Sequence, residues 1–146
     1  MGCDIHMVLE VKYENKWIGI NTFAGFYARA LDWHGKTEPK WLFWLVRNRS
    51  YDLFAKLAGV RGDGPPPRGI PEDVSDLAVM EIERFGLDGH SHSWGLLSEI
   101  GGYFLASIAP AKVLDKDRLN EVRMLFGLDN EEAPLEECRL VYFFDN

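Results

Sequence analysis

What the chain lacks narrows its class. It has two cysteines in 146 residues, Cys3 and Cys138, too few for the disulfide framework of a small secreted domain. No run of about 18 apolar residues occurs, so no membrane-spanning helix is expected. A basic stretch leading into an apolar one is missing at the start, because Asp4 and His6 interrupt it; this reads as no secretion signal and a cytoplasmic protein. His6 also stands where a myristoylation motif needs a hydroxyl residue. Lys and Arg number 16 against 23 Asp and Glu, a net charge of −7. That argues against broad nucleic-acid binding, which runs on phosphate neutralisation, but leaves room for a local basic pocket. There is no internal repeat, heptad or low-complexity tract.

What is present fits one packed domain, residues 1–146, with 47% hydrophobic residues to build its core. Residues 3 to 13 alternate, with Cys3, Ile5, Met7, Leu9, Val11 and Tyr13 on one face and Asp4, His6, Val8, Glu10 and Lys12 on the other. This predicts a half-buried strand whose polar face leaves Asp4 and His6 to a cleft. Glu14-Asn15-Lys16 turns the chain into a second strand, Trp17 to Ile20. Residues 21 to 46 read as a surface excursion or lid with a short helix, its loop holding a solvated His34. Ser50 caps a helix from Tyr51 to Ala58 that Gly59 stops, with Leu53, Phe54 and Leu57 buried. The Gly- and Pro-rich stretch 60–71 reads as an ordered loop near the site. Ser75 caps a second helix to Phe85, stopped by Gly86, with Leu77, Met80, Ile82 and Phe85 as its apolar positions. Leu96 to Ile100 and a segment from Asp115 or Asp117 to Phe126 read as further helices, and Arg139 to Phe144 as a last strand. Strands at both ends with helices between them predict an α+β domain: an antiparallel sheet including both terminal strands, several short helices and long loops.

The chain is organised around Asp88-Gly89-His90-Ser91-His92-Ser93-Trp94. In extended or tightly turned backbone, residues two apart project to the same side, so His90 and His92 are expected to face one point. Asp4 and His6 repeat that spacing. If the first and last strands pair antiparallel, Asp145 comes beside them. The expected metal set is Asp4, His6, His90, His92 and Asp145, holding one divalent ion with an open position for water, or two ions. Mixed imidazole and carboxylate donors suit a transition metal, Zn²⁺ or Mn²⁺ first, over Ca²⁺. His90, His92 and Asp88 are the candidate catalytic residues, and a metal-free acid–base site on His90 or His92 is a further option. Against these stands an ordinary strand histidine at His6 and loop histidines bonded to backbone at His90 and His92.

Arg49, Tyr51, Arg61 and Arg68 form the candidate ligand-binding set. Arg47, Arg49 and Arg61 flank a helix only about 12 Å long, and arginine's planar fork suits phosphate. The competing reading pairs them with Asp63, Glu72 and Asp73. Cys3 and His6 differ in strand parity, so a Cys–His nucleophile is disfavoured and burial of Cys3 expected. Gly62-Asp63-Gly64 falls far short of a phosphate-loop fingerprint.

Met-Gly-Cys-Asp-Ile-His at 1–6, Arg49-Ser50-Tyr51-Asp52-Leu53-Phe54, Pro67 to Ser75, the 88–94 stretch and Phe143-Phe144-Asp145-Asn146 together carry a resemblance. The chain resembles an uncharacterised family of small bacteriophage and prophage proteins. The resemblance implies phage origin and no particular chemistry. Three functions are expected in order: a metal-dependent hydrolase, foremost a phosphoesterase acting on a nucleotide or other small phosphorylated molecule; a non-catalytic protein that sequesters a nucleotide-like host defence signal; and an inhibitor of a host enzyme. No membrane partner is expected, and homo-oligomerisation is left open.

Overall fold

The computed structural model describes residues 2–24, 27–31, 37–40, 51–104, 120, 122–123, 126, 128 and 137–145, those from 24 to 40 by backbone alone. Six strands form one antiparallel sheet: β1 Asp4–Tyr13, β2 Lys16–Ala24, β3 Tyr27–Leu31, β4 Thr37–Lys40, β5 Gly89–Leu96 and β6 Cys138–Asp145. Their order across the sheet is β4-β3-β2-β1-β6-β5, so β1 and β6 pair in its interior, each with a neighbour on its other side. Among the described residues, three helices, α1 Tyr51–Ala58, α2 Asp76–Phe85 and α3 Leu97–Ile100, accompany the sheet in this α+β domain.

Local chemistry accounts for the boundaries. Glu14 and Asn15 both take positive φ, 49° and 62°, the two-residue turn whose twist suits a hairpin. The Ser75 hydroxyl accepts the Ala78 N–H and opens α2. Gly86, with φ 51° and ψ −126°, ends it in a conformation open to glycine. At α1 the stop is Gly59 with φ 67°.

Both faces of the central strands are covered. One face carries Cys3, Ile5, Met7, Leu9, Cys138, Leu140, Tyr142 and Phe144, packed under α1, α3, Phe104, Val122 and Phe126. Tyr142 ties β6 to this layer by donating from its hydroxyl to the Leu57 carbonyl at 2.9 Å. The other face carries Val8 and Val141 against Ala78, Leu77 and Ile82 of α2. The expectation of a half-buried β1 is therefore corrected: α2 lies over the face that holds His6, Val8 and Glu10, and all three are buried. Of the polar members of that face, Glu10 and Arg139 have partners within the protein. Arg139 Nε donates to Glu10 Oε1, and Arg139 also bonds the side chain and carbonyl of Asp73, at 2.9 and 3.1 Å. The backbone N–H of Ser75 donates to Glu10 Oε2 at 2.6 Å. Trp17 lies 4.2 Å from the guanidinium as a third wall.

Two further expectations change. Residues 21 to 46 do not begin with a lid: β2 runs on to Ala24, and β3 and β4 follow as a meander. His34 and the polar loop 34–36 lie outside the described residues, as do residues 41–50. Met80 is 65% exposed and Ala78 takes the buried position on α2, with Leu77 and Ile82 packed beside it against Val8 and Val141. Most of the helix expected up to Phe126 is outside the described residues, with helical backbone at Asn120, Val122 and Arg123.

Candidate functional site

Strand register brings the expected termini together. Asp4 pairs with Asp145, and Asp145 with Gly89 on its other side. One residue further in, Ile5, Phe144 and His90 form a row, and His6 pairs with Phe143 beyond it. The start of β1, the end of β6 and the start of β5 thus meet at one end of the sheet. Paired residues share a face, so Asp4, Asp145 and His6 project on the side that α2 covers.

His6 is the most enclosed of the candidates. Its ring lies between Phe85, the last residue of α2, at 3.9 Å and Phe143 at 5.2 Å. Only 8% of the residue is exposed. Its Nε2 stands 3.3 Å from Asp145 Oδ2, yet no hydrogen bond aligns on it, and the nitrogen is buried without a partner. A buried polar atom left unpaired is costly.

The two histidines of β5 do not act as a pair. The register slips between His90 and Ser93, and Ser91 has φ 54°. This bulge puts two residues opposite one and reverses the alternation. His90 pairs with Phe144 and goes to the α1 side, its Nδ1 2.9 Å from Ser91 Oγ. His92 goes to the α2 side, stacked on Phe143 at 5.4 Å. The expectation that both imidazoles face one point is corrected for this reason. His92 and His6 share a face of the sheet, but the Phe143 ring stands between them. His92 Nε2 is also buried without a partner. Burial, and then repulsion from His90, hold the His92 imidazole below its ordinary pKa, which favours the neutral ring. Among the described residues, no three His, Cys, Asp or Glu side chains group as metal ligands. Asp88 is exposed on the turn Gly86–Asp88.

The arginines separate as well. Arg61, itself at φ 60°, lies 5.4 Å over the Tyr51 ring, near enough for its charge to act on the Cys3 thiol. The Cys3 N–H donates to the Tyr51 hydroxyl at 3.4 Å, so Arg61 and Tyr51 belong to the strand-end cluster. Cys3 is fully buried, as expected. Burial raises its thiol pKa, with the Arg61 charge opposing. Arg68 is engaged elsewhere: it bonds Glu99 at 2.9 Å and the Trp94 carbonyl at 3.2 Å, and its backbone N–H donates to Ser93 Oγ. The Gly69 N–H donates to the His92 carbonyl at 2.8 Å, so this loop shields the outer edge of β5. Arg49 lies outside the described residues.

Sequence reasoning missed Phe85 as the cover of His6, and Glu10 with Arg139 as a buried ion pair. A signal for the pair was present: an arginine opening the apolar run Leu-Val-Tyr-Phe-Phe, and a glutamate among the apolar residues of β1. Among the described residues, no helix is long and apolar enough to cross a membrane. Comparison of the chain with protein-family models, curated proteins and solved structures returns no match.

Proposed function

We propose that the chain is a metal-dependent hydrolase of a small phosphorylated substrate, with His6 and Asp145 as the protein's metal ligands. The observation that carries this reading is the unaligned contact of His6 Nε2 with Asp145 Oδ2 at 3.3 Å. Two ligand atoms on one tetrahedral zinc stand roughly 3.4 Å apart, given bonds of about 2.0–2.2 Å. The pair has the spacing of co-ligands and lacks the direction of a hydrogen bond. One nitrogen and one oxygen donor suit Zn²⁺ or Mn²⁺. Two protein ligands leave several positions for water and substrate oxygens, as is usual where a metal and a phosphate are bound together.

When bound, the metal would acidify water and offset phosphate charge. The chain's own residues do the rest. Phe85 and Phe143 fix the His6 ring and keep water from its faces. Asp4, paired in register with Asp145, adds negative potential that favours a cation. Arg61, pre-positioned on Tyr51, supplies a fork for phosphate oxygens from the other side of the strand ends. The sequence resemblance to phage proteins is compatible with a nucleotide substrate.

The test is metal content and Mn²⁺ titration of protein purified without a histidine tag. His6→Ala and Asp145→Asn should each weaken Mn²⁺ binding by at least about tenfold, while His90→Ala leaves it unchanged. Retention of full affinity in both His6→Ala and Asp145→Asn would refute the assignment. Mn²⁺ binding without hydrolysis of any phosphoester would favour sequestration of the ligand over turnover.

A further inference from the structure

The sequence repeats a His-Ser step, His90-Ser91 and then His92-Ser93, and the bulge in β5 gives the two steps different chemistry. Ser93 is 1% exposed, and its Oγ accepts the Arg68 N–H at 3.0 Å. Ser91 and His90 are both partly exposed, and Ser91 Oγ stands 2.9 Å from His90 Nδ1. The Ser91 backbone has φ 54°, in the left-handed region that a serine seldom occupies. Such strained residues cluster at active sites, and a bulge is a common way to re-aim one side chain there.

A hydroxyl within hydrogen-bond reach of an imidazole is the pairing that makes serine a nucleophile. In the neutral ring protonated at Nε2, Nδ1 is left to accept the Ser91 proton. The surroundings select the substrate. His90 lies beside the Phe144 ring, 6.3 Å between centroids. Arg68, whose loop bonds this stretch of β5, has its guanidinium committed to Glu99 and the Trp94 carbonyl. A neutral ester suits such walls better than a phosphate anion. We infer that Ser91 and His90 form a second site, a serine nucleophile with its general base, which cleaves small uncharged carboxylic esters. The dyad is independent of the metal pair, because the bulge turns His90 to the face opposite His6 and Asp145. In the first step Ser91 Oγ forms a bond to the ester carbonyl carbon and its proton passes to His90 Nδ1. The bond from that carbon to the alkoxy oxygen breaks, and the alcohol leaves with the proton from His90. Water then attacks the acyl carbon, giving a proton to Nδ1, and Ser91 Oγ departs and takes that proton back. The sum is ester plus water to carboxylic acid plus alcohol.

The experiment treats the full chain with phenylmethylsulfonyl fluoride and assays it on p-nitrophenyl acetate, with and without EDTA, beside Ser91→Gly and His90→Gln. Glycine takes φ 54° freely, so Ser91→Gly removes the hydroxyl while keeping the bulge, and its thermal midpoint should equal or exceed that of the wild type. Fragmentation mass spectrometry should place the sulfonyl group on Ser91 and none on Ser93. The wild type should release a burst of p-nitrophenol that Ser91→Gly lacks. Steady-state turnover should fall by about a hundredfold or more in both variants, and EDTA should leave the wild-type rate unchanged. An unlabelled Ser91, or turnover by either variant within about threefold of wild type, overturns the inference. Turnover abolished by EDTA assigns ester cleavage to the metal pair and overturns it equally. Should Ser91→Gly not fold, the position of the label in the wild type and the rate of His90→Gln decide.

Discussion

Replacing Arg139 with methionine should be among the most damaging single changes on the α2 face of the sheet. Arg139 is 3% exposed and Glu10 is fully buried. Among the described residues, the guanidinium is one of two groups bonded to the Glu10 carboxylate, the other being the Ser75 N–H. Methionine fills much of the volume beside Trp17 but leaves an ionised carboxylate in the interior with one donor. Breaking a buried pair from one side costs about 3–5 kcal/mol, a large share of the roughly 5–15 kcal/mol that holds a domain together. Loss of the Asp73 contacts adds less, because the Asp73 side chain is largely exposed. Removing both charges is a different perturbation. Glu10→Leu with Arg139→Met leaves no stranded charge, only an unpaired Ser75 N–H at about 1–3 kcal/mol. The double variant should therefore be more stable than Arg139→Met alone. Urea unfolding followed by circular dichroism, for wild type, both single variants and the double, yields the coupling directly. A coupling below about 0.5 kcal/mol would refute the reasoning, since the two charges would then be independent of each other in the folded state.

Other expectations follow from the same geometry. Gly64→Ala places a Cβ 1.7 Å from the Ala55 carbonyl oxygen, so the loop must move off α1; a loss of about 1–3 kcal/mol in urea unfolding is expected, and an unchanged midpoint would show that the loop is not seated there. His92 has a folded pKa below its unfolded value of about 6.5. Between those two values the unfolded chain holds more protons, so stability is complete above about pH 6.5 and falls as pH drops through the window. His92→Gln should remove that part of the slope in unfolding measured from pH 7.5 to 5; identical slopes would contradict it.

Much of this fold was legible because the signals were local. Ser75 and Gly86 bracket α2 at the residues where it starts and stops, since capping needs only a hydroxyl and a residue free to take positive φ. Asp4 opposite Asp145 follows from parity once the terminal strands are taken as antiparallel neighbours. What failed were inferences needing contacts from elsewhere. That His6 and Glu10 are buried depends on α2 lying over them, which alternation within β1 cannot reveal. The separation of His90 from His92 depends on one backbone angle at Ser91, and a serine carries little sequence signal for a bulge. Arg68 looked like an anion ligand because its partner, Glu99, is 31 residues away.

The placement of β1 beside β6 also governs when the protein can be made. Glu10 and Arg139 are 129 positions apart in sequence, so the middle of the sheet closes a loop of nearly the whole chain. A nascent polypeptide leaving the ribosome cannot complete this core until the segment that forms β6 emerges. Until then β1, already paired with β2 on one side, waits with its other edge uncovered, the state in which chaperones or unwanted strand partners have their opportunity.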